Sequence, residues 1–416
     1  MADRSFTVRN VRAFTVQGVL YFVGIAFFDT STVLPLFLRT LSSNLALVGA
    51  AVALRSFATL IVQVLFGIAV VKIRHVPRYL SGMMFAGYSA PLLVAAGLLA
   101  GMRGSTAVVL LFVALAVQWI CDGFIAIGYY DLLGRTLGPS DRGRAMGTMQ
   151  FIGGAGAVGA ALVIKVILDL EDVDPIARYT ALFLCGGVVL FLSALSFATT
   201  RDLPHRVPQT DYRPLRHLRE IPGLLRANPV FVRALVCQVF LTLAMTVAPF
   251  VLLIARDQYH LADSLVTLLL GLQVSGSVFG GILVLYVSPR YGSHRSVQLF
   301  VLVLILGIAS GLGAAAGLIP PFPALAMLAL SAGICAASWA GIMGYFVDVA
   351  EKGRIPLYMA TNSLVMLPLA GAGLLGGVAA DRFGFPVLLA VCLAFAIAAL
   401  GLSLRLPSRV GPLSEE

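Results

Sequence analysis

Charge is scarce in this sequence. Only 12% of its 416 residues are Asp, Glu, Lys or Arg, whereas soluble domains carry about 25%. Hydrophobic residues make up 59% of the chain, and the mean hydropathy is +0.97. Apolar stretches of twenty or more residues follow one another, each long enough to cross a bilayer. The composition therefore excludes a soluble globular protein and predicts an all-α integral membrane protein.

Catalytic and metal-binding patterns are also missing. The five Cys residues are scattered through apolar runs without the spacing of a metal site, so we interpret them as small hydrophobic side chains. The five His residues all lie in polar connections, and the chain has no Gly-Lys-Ser/Thr motif for binding phosphate. We therefore expect no enzyme activity, no metal and no cofactor.

Twelve apolar stretches have the length of membrane-spanning helices, six on each side of a connection rich in Arg and Pro. The predicted spans are 14–38, 45–71, 81–101, 105–131, 145–170, 179–199, 232–255, 261–287, 297–319, 322–348, 355–381 and 385–404. This pattern predicts an N-terminal six-helix bundle at 1–200, a basic cytoplasmic linker at 201–231 and a C-terminal six-helix bundle at 232–416.

The basic residues are distributed unevenly between the two sides of the membrane. If the N-terminus is cytoplasmic, the cytoplasmic segments hold 22 Arg and Lys residues and the outer loops hold 5. Because basic loops stay in the cytoplasm, we expect a multi-pass protein of the cell (inner or plasma) membrane with both termini inside. The same bias explains the net charge of +10. No nucleic-acid partner is expected, since the basic residues form no aromatic-interleaved patch.

The two groups of six spans are related by an internal repeat. The stretch "TVLPLFL" at 32–38 recurs as "TVAPFVL" at 246–252, an offset of 214 residues. The turn "DRGR" at 141–144 pairs with "EKGR" at 351–354, an offset of 210. Parallel duplicates of this kind place a binding site near the middle of the membrane, at the interface of the repeats.

These features resemble the major facilitator superfamily over essentially the whole chain. The connection after the second span keeps Gly67 and Lys72 of the family motif G-x-x-x-D-R-x-G-R, with Val71 where the Asp belongs. A closer copy of the motif, "GVAADRFG", lies at 377–384. The resemblance implies twelve transmembrane helices in two six-helix pseudo-repeats, transport by alternating access, and a path lined by spans 1, 4, 7 and 10.

Polar side chains at helical spacing occur in spans 1, 2, 4, 7 and 8, whereas spans 3, 6, 9 and 12 contain no charged residue. Polar groups inside a membrane face a cavity or a neighbouring helix rather than lipid. For any single residue, hydrogen bonding between helices is the alternative explanation. The candidates for lining a substrate cavity are Arg55, Thr59, Gln63, Gln118, Trp119, Gln238, Thr242, Gln273, Trp339 and Asn362.

Short connections on the cytoplasmic side carry a second set of candidates. We expect these residues to gate or brace the cytoplasmic ends of the helices: Gly67, Lys72, Arg74, Asp141, Arg142, Arg144, Glu351, Lys352 and Arg354. Glycine clusters in spans 5, 8 and 11 predict close packing between helices that slide against one another.

One carboxylate interrupts the first span. Asp29 lies in "GIAFFDTSTVLPLFL" (24–38), about 13 Å from the outer end of its helix, and Arg55 lies about 15 Å deep on the next span. An ion pair at this level would lower the free energy of burying both charges. The pair is either a structural clamp between spans 1 and 2 or part of a switch.

Asp122, in the fourth span, has no basic residue at its depth in the sequence. Desolvation favours the neutral form of a carboxyl group, so Asp122 is the first candidate for coupling transport to protons and Asp29 is the second. The alternative is a protonated Asp122 that only makes a hydrogen bond to a neighbouring helix.

The sequence thus predicts a secondary active transporter that uses an ion or substrate gradient and functions as a monomer in the bilayer. Export of a small amphipathic molecule in exchange for protons is the first hypothesis, based on the glycine-rich fifth span and on Asp29. The alternatives are proton-coupled uptake of a small anionic metabolite that binds Arg55, and a non-transporting receptor or scaffold of the same fold.

Overall fold

A computed structural model describes residues 4–29, 33–42, 45–66, 73–170, 172–202, 219–351 and 353–408. This part of the chain contains helices and no strand. The α-helices are α1 (Arg4–Ala26), α2 (Val33–Leu41), α3 (Leu45–Phe66), α4 (Val76–Tyr88), α5 (Ala90–Leu99), α6 (Gly104–Thr136), α7 (Pro139–Leu168), α8 (Pro175–Phe197), α9 (Ile221–Ala227), α10 (Pro229–Ala244), α11 (Val251–Leu253), α12 (Asp263–Tyr291), α13 (Ser293–Ala315), α14 (Pro321–Cys335), α15 (Ser338–Val349), α16 (Ile355–Met366), α17 (Ala372–Phe383) and α18 (Phe385–Ser403).

The helices reproduce the predicted spans. Among the described residues, ten helical segments are long and apolar enough to cross a membrane. Four of these segments combine two α-helices each: α4 with α5, α10 with α11, α14 with α15, and α16 with α17. The first predicted span corresponds to α1 together with α2, and the second corresponds to α3. The predicted all-α membrane fold is confirmed.

The first span is not one continuous helix, so that part of the prediction is wrong. α1 ends at Ala26, and Asp29 lies outside any helix, with its backbone carbonyl accepting a hydrogen bond from the Leu34 amide at 3.0 Å. Pro35 lies in the first turn of α2, where proline is tolerated because its missing N–H would have no partner inside the helix, so it marks the point at which the helix restarts. Asp29 therefore sits at a break in the span.

The seventh span is interrupted at the matching position of the repeat. After α10 the chain forms a 3₁₀-helix at Met245–Phe250, which contains Pro249, and a π-helical turn at Ile254–Gln258. Irregular backbone at membrane depth is tolerated only where protein buries it or where it lines a water-filled cavity. Broken helices at corresponding positions of two repeats are typical of transporter binding sites.

Packing groups the chain into two compact units. Unit 1 comprises residues 1–137, 152–218 and 352–367, and unit 2 comprises 138–151, 219–351 and 368–416. In unit 1, α1 packs on α8, while α3, α4 and α16 pack on α6. In unit 2, α12 and α13 pack on α14, while α10 and α13 pack on α18. Residues 138–151 precede the predicted linker but belong to unit 2, and α16 follows the linker but belongs to unit 1. The division into two bundles separated by a linker at 201–231 remains a prediction.

Glycines allow α7 and α12 to approach closely within unit 2. A Cβ atom at Gly147 would overlap the backbone of Leu285, and one at Gly281 would overlap the backbone of Phe151. The first part of α7 therefore lies directly against α12 without intervening side chains. This is the contact between spans 5 and 8 that the glycine clusters predict.

Two glycines of α7 make a matched pair for testing this contact. We expect Gly147→Ala to destabilise the protein by about 1–3 kcal/mol, because the added methyl group must displace the α12 backbone. Gly159→Ala on the same helix should stabilise it by about 0.5–1 kcal/mol, since nothing lies within 4 Å of the added carbon. Thermal unfolding of both variants in detergent gives the comparison, and equal effects would show that α7 and α12 are not in close contact.

Candidate functional site

Asp122 belongs to a polar network in the middle of unit 1. The Tyr21 hydroxyl of α1 donates a hydrogen bond to Asp122 Oδ2 at 3.1 Å. The Tyr21 ring lies beside the Tyr88 ring of α4, with the centroids 5.4 Å apart, and Gln17 Nε2 donates to the Tyr88 hydroxyl at 3.5 Å. The expectation that Asp122 lacks a partner is wrong, because a search for opposite charges at the same depth overlooks a neutral donor.

The bond between Asp122 and Tyr21 is compatible with proton exchange. A phenol donates to an ionised carboxylate and accepts from a protonated one, so the contact survives both states with its direction reversed. Asp122 and Tyr21 are both partly exposed, which leaves the carboxyl group open to an incoming proton. The geometry thus holds Asp122 in place without fixing its protonation state.

Arg55 connects the helix break at Asp29 with the aromatic ring of Trp119. Its Nη1 atom lies 3.9 Å from Asp29 Oδ2, and its guanidinium carbon lies 4.9 Å from the centroid of the Trp119 ring. The Arg55 side chain is 45% exposed and that of Asp29 is 27% exposed. Long, exposed ion pairs contribute little to stability. The contacts with Asp29 and Trp119 therefore serve to orient the Arg55 guanidinium group, which stays accessible. Thr59 Oγ1 donates to the Trp119 carbonyl at 3.3 Å and fixes the same side of α6.

The two clusters act on each other electrostatically. The positive charge of Arg55 interacts with Asp122 and also with the Tyr21 hydroxyl bound to it. A proton on Asp122 therefore changes the field at Arg55 and Asp29. The residue pair predicted from spans 1 and 2 and the acid predicted from span 4 form one electrostatic system in unit 1.

Several buried polar atoms of unit 1 have no hydrogen-bond partner among the described residues. These atoms are Nε2 and Oε1 of Gln118, Nε1 of Trp119 and Oδ1 of Asn362. Gln118 is fully buried. Leaving such an atom unpaired is destabilising by about 1–3 kcal/mol. Gln63, by contrast, accepts a hydrogen bond from Ser363 of α16. The unsatisfied groups are suited to bind water or a polar ligand, while Gln63 acts between helices.

The remaining cavity candidates belong to unit 2. Gln273 Nε2 donates to the Ala248 carbonyl at 3.2 Å, in the 3₁₀-helical break of the seventh span. This contact satisfies a backbone group that the break releases, which favours the alternative role of hydrogen bonding between helices. Gln238 Oε1 is buried, and no described residue makes a hydrogen bond to it. Thr242 on α10 and Trp339 on α15 are partly exposed.

The charged candidates at the start of α7 behave differently from one another. Arg142 is buried and donates to Asp348 Oδ1 of α15, while Ser293 Oγ donates to Asp348 Oδ2 at 3.0 Å. Asp141 is partly exposed in the first turn of α7, and Arg144 is exposed. Arg142 therefore braces α7 against α15 and the start of α13 within unit 2, whereas Arg144 faces outward.

The other described gating candidates lie nearer the surface. Glu351 is partly exposed, Arg354 is exposed before α16, and Arg74 is exposed before α4. Gly67, Lys72 and Lys352 lie outside the described residues.

A second brace in unit 1 was not among the candidates. Arg135 pairs with Asp131 at 2.9 Å and with Asp202 at 3.3 Å. The spacing of four residues between Asp131 and Arg135 is the sequence signal for half of it. Asp202 follows the sixth span, and only the fold brings it to α6.

Comparison with known families agrees with this architecture. The family model described as Major Facilitator Superfamily matches residues 17–315. The chain belongs to the major facilitator superfamily. A sequence comparison with curated proteins gives no match. As a member of this superfamily, the chain is a multi-pass membrane protein with the fold of a transporter rather than an enzyme.

Solved structures of the superfamily show the same fold at low identity. A bacterial homologue of the iron transporter ferroportin, in an outward-facing state, superimposes with a TM-score of 0.73 at 19% identity, covering 96% of this chain and 99% of that one. The E. coli fucose:proton symporter FucP gives 0.72 at 15% identity over 97% and 99%. The proton:xylose symporter XylE gives 0.68 at 13% identity over 98% and 97%.

The Asp29–Arg55 contact can be tested by a double-mutant cycle in this superfamily member. We expect Arg55→Leu alone to reduce transport more than Asp29→Leu, Arg55→Leu together, because the single change leaves Asp29 without its ion-pair partner. The double change restores the leucines that the second repeat carries at the matching positions, Leu243 and Leu269. Transport and thermal stability are measured for all four proteins, and strictly additive losses would show that the two charges act separately.

Proposed function

We propose that the chain is a proton-coupled secondary transporter that works by alternating access and exports a small amphipathic molecule in exchange for protons. The observation that carries the proposal is the position of Arg55, an accessible cation, over the ring of Trp119, which lies three residues before the acid Asp122 on α6. Such proximity is one way in which the binding of a proton and the binding of substrate can change each other's free energy.

The chemistry around Arg55 supports an amphipathic substrate. Trp119 offers an aromatic face, Asp29 and Arg55 offer opposite charges, and Gln118 and Asn362 offer amide groups with unpaired atoms. Apolar walls with a few polar groups are typical of sites for small organic molecules. The proposed ligand therefore has an apolar body and at least one polar or charged group.

The charge of the substrate decides the sign of coupling. Ionised Asp122 adds a negative charge to the field around Arg55 and Asp29, which favours a cationic ligand, and a proton on Asp122 removes that charge. A cationic amphipathic molecule then competes with the proton, which is the requirement for exchange in opposite directions. An anionic ligand gains affinity when Asp122 is protonated, which is the requirement for transport in the same direction.

Uptake of a small anion with protons is the second candidate function. The observation that favours it is the 45% exposure of the Arg55 side chain, since an accessible guanidinium group suits the geometry of a carboxylate or phosphate. A third hypothesis is a receptor or scaffold of this fold that binds a ligand without moving it.

Orientation and assembly are part of the same proposal. The excess of basic residues, 22 against 5, supports cytoplasmic termini in the plasma membrane. The buried Arg142–Asp348 pair and the Arg135 pairs then lie at cytoplasmic helix ends, where they have to rearrange when the protein opens to the cytoplasm. A monomer contains all of these groups.

Transport into proteoliposomes with an imposed pH gradient tests the proposal. The assay compares a panel of cationic and anionic amphipathic molecules at gradients of either sign. Exchange predicts that cations accumulate on the acidic side of the membrane, while symport predicts that anions accumulate on the alkaline side. Saturable binding without flux of any compound would favour the receptor.

A further inference from the structure

Unit 1 contains a cavity that is separate from the groups around Asp122. It has a volume of about 810 Å³ and lies where α4 begins. Its walls come from α4, from the turn before α4 and from the residues that follow α8. None of the residues proposed above for substrate or proton binding lines it, so it needs a separate explanation.

Positive charge dominates the lining of this cavity. Arg74, His75 and Arg78 all contribute to it, and among the described residues none of the three makes an ion pair. α4 also begins here, with His75 at its N-cap position and no side-chain cap. The amino end of a helix carries a partial positive charge and unpaired N–H groups, which bind anions.

Two buried hydroxyl groups at the cavity have no partner. Ser81 is 8% exposed and Thr200 is 6% exposed, both line the cavity, and neither Oγ atom makes a hydrogen bond to the described residues. Ser89, the C-cap residue of α4, shows the usual alternative, since its hydroxyl donates to the Phe85 carbonyl at 2.5 Å. Buried hydroxyls are normally satisfied, so Ser81 and Thr200 indicate a missing ligand.

The carboxylate in the lining does not oppose an anion strongly. Asp202 lines the cavity, but its Oδ2 atom lies 3.3 Å from Arg135 Nη1. Arg135, which does not line the cavity, is shared between Asp202 and Asp131, so it offsets part of the negative charge of Asp202. The three basic side chains remain available to a ligand.

The cavity continues into an apolar surface of α8. Phe85 lines the cavity, and its ring lies 5.0 Å from that of Phe191. Phe191, Leu192 and Leu195 are exposed on α8, a helix long and apolar enough to cross the membrane. A molecule with a phosphate group in the cavity could place hydrocarbon chains along this surface.

We propose that the cavity binds a phosphate group that Arg74, Arg78, Ser81 and Thr200 hold at the start of α4. Its source is the headgroup of an anionic phospholipid or a soluble phosphate ester, which share this chemistry. The adjoining apolar surface of α8 supports the lipid. The site is independent of the transport mechanism proposed above.

Binding to the purified full-length protein tests the proposal and distinguishes the two sources. The probes are phosphatidylglycerol, zwitterionic phosphatidylcholine and glycerol 3-phosphate, with bound ligand counted by native mass spectrometry. We expect saturable binding of phosphatidylglycerol at least tenfold tighter than that of phosphatidylcholine. Competition by millimolar glycerol 3-phosphate would assign the site to soluble esters, and its absence would assign it to the lipid.

Two double variants locate the site. The double variant Arg74→Gln, Arg78→Gln should weaken binding of the preferred probe at least tenfold. The control variant Arg12→Gln, Arg405→Gln removes the same charge from exposed positions outside the cavity, so binding of the probe should be unchanged. Ser81→Ala, Thr200→Val should also weaken binding about tenfold without lowering the unfolding temperature of the ligand-free protein, because these hydroxyls make no internal hydrogen bond.

Three results would overturn the proposal. The first is that neither phosphatidylglycerol nor glycerol 3-phosphate binds saturably. The second is an equal loss of binding in the exposed-arginine control, which would show attraction to surface charge alone. The third is unchanged binding in both cavity variants.

Discussion

Replacing Asp122 by Asn is expected to abolish accumulation driven by a pH gradient, while substrate binding and exchange without a gradient continue. Asn keeps the size of the side chain and can still bond to the Tyr21 hydroxyl, which lies 3.1 Å from Asp122 in the native protein. It cannot carry a proton. Uptake of substrate into proteoliposomes, with and without the gradient, measures the difference.

Tyr21→Phe is the matched control for this prediction. It removes the hydrogen bond but leaves the titratable group, so transport should still respond to the gradient, with a shifted pH profile. If Asp122→Asn transports normally under the gradient, Asp122 is only a hydrogen-bonded core residue. The proton would then have to bind Asp29, or the coupling ion would be a different one.

The second large effect is expected at the brace between α7 and α15. Arg142→Ala should lower the free energy of unfolding by about 3–5 kcal/mol, because it leaves a partly buried carboxylate without its cation. The side chains of Arg142 and Asp348 are 8% and 19% exposed, and Ser293 cannot neutralise the remaining charge. Thermal unfolding in a neutral detergent measures the loss.

Arg144→Ala is the control on the same helix. Arg144 is exposed, so its removal should change stability by less than about 0.5 kcal/mol. The double variant Arg142→Leu, Asp348→Leu should recover part of the loss, because removing both charges leaves neither one buried alone. If Arg142→Ala and Arg144→Ala have the same effect, the pair does not hold the two helices together.

The spans could be predicted from sequence because their lengths are set by the thickness of the bilayer. The break near Asp29 was not predicted from hydropathy, because an average over a membrane-length window hides the four polar residues at 29–32. The available signal for a break was Pro35 together with the matching Pro249. Hydropathy misses such a signal because it averages over many residues. The repeat had already aligned these two prolines.

The polar contacts were harder to predict than the spans. The contact between Asp29 and Arg55 could be predicted, because the two residues lie on consecutive spans at about the same depth. The partner of Asp122 is Tyr21, which lies on another helix, α1, and carries no charge. A search for an opposite charge therefore missed it. Asp202 was missed because it reaches Arg135 only after α6 and α8 have packed in the same unit.

The central claim is that transport of one solute through this chain is coupled to the movement of protons, and substrate-driven proton movement tests it most directly. Sealed proteoliposomes with a trapped pH dye and no imposed gradient receive a pulse of a compound that the protein transports. The account predicts a pH change that saturates with the compound, collapses with a protonophore and is absent in Asp122→Asn. Flux of the compound with no pH change in the native protein would contradict it.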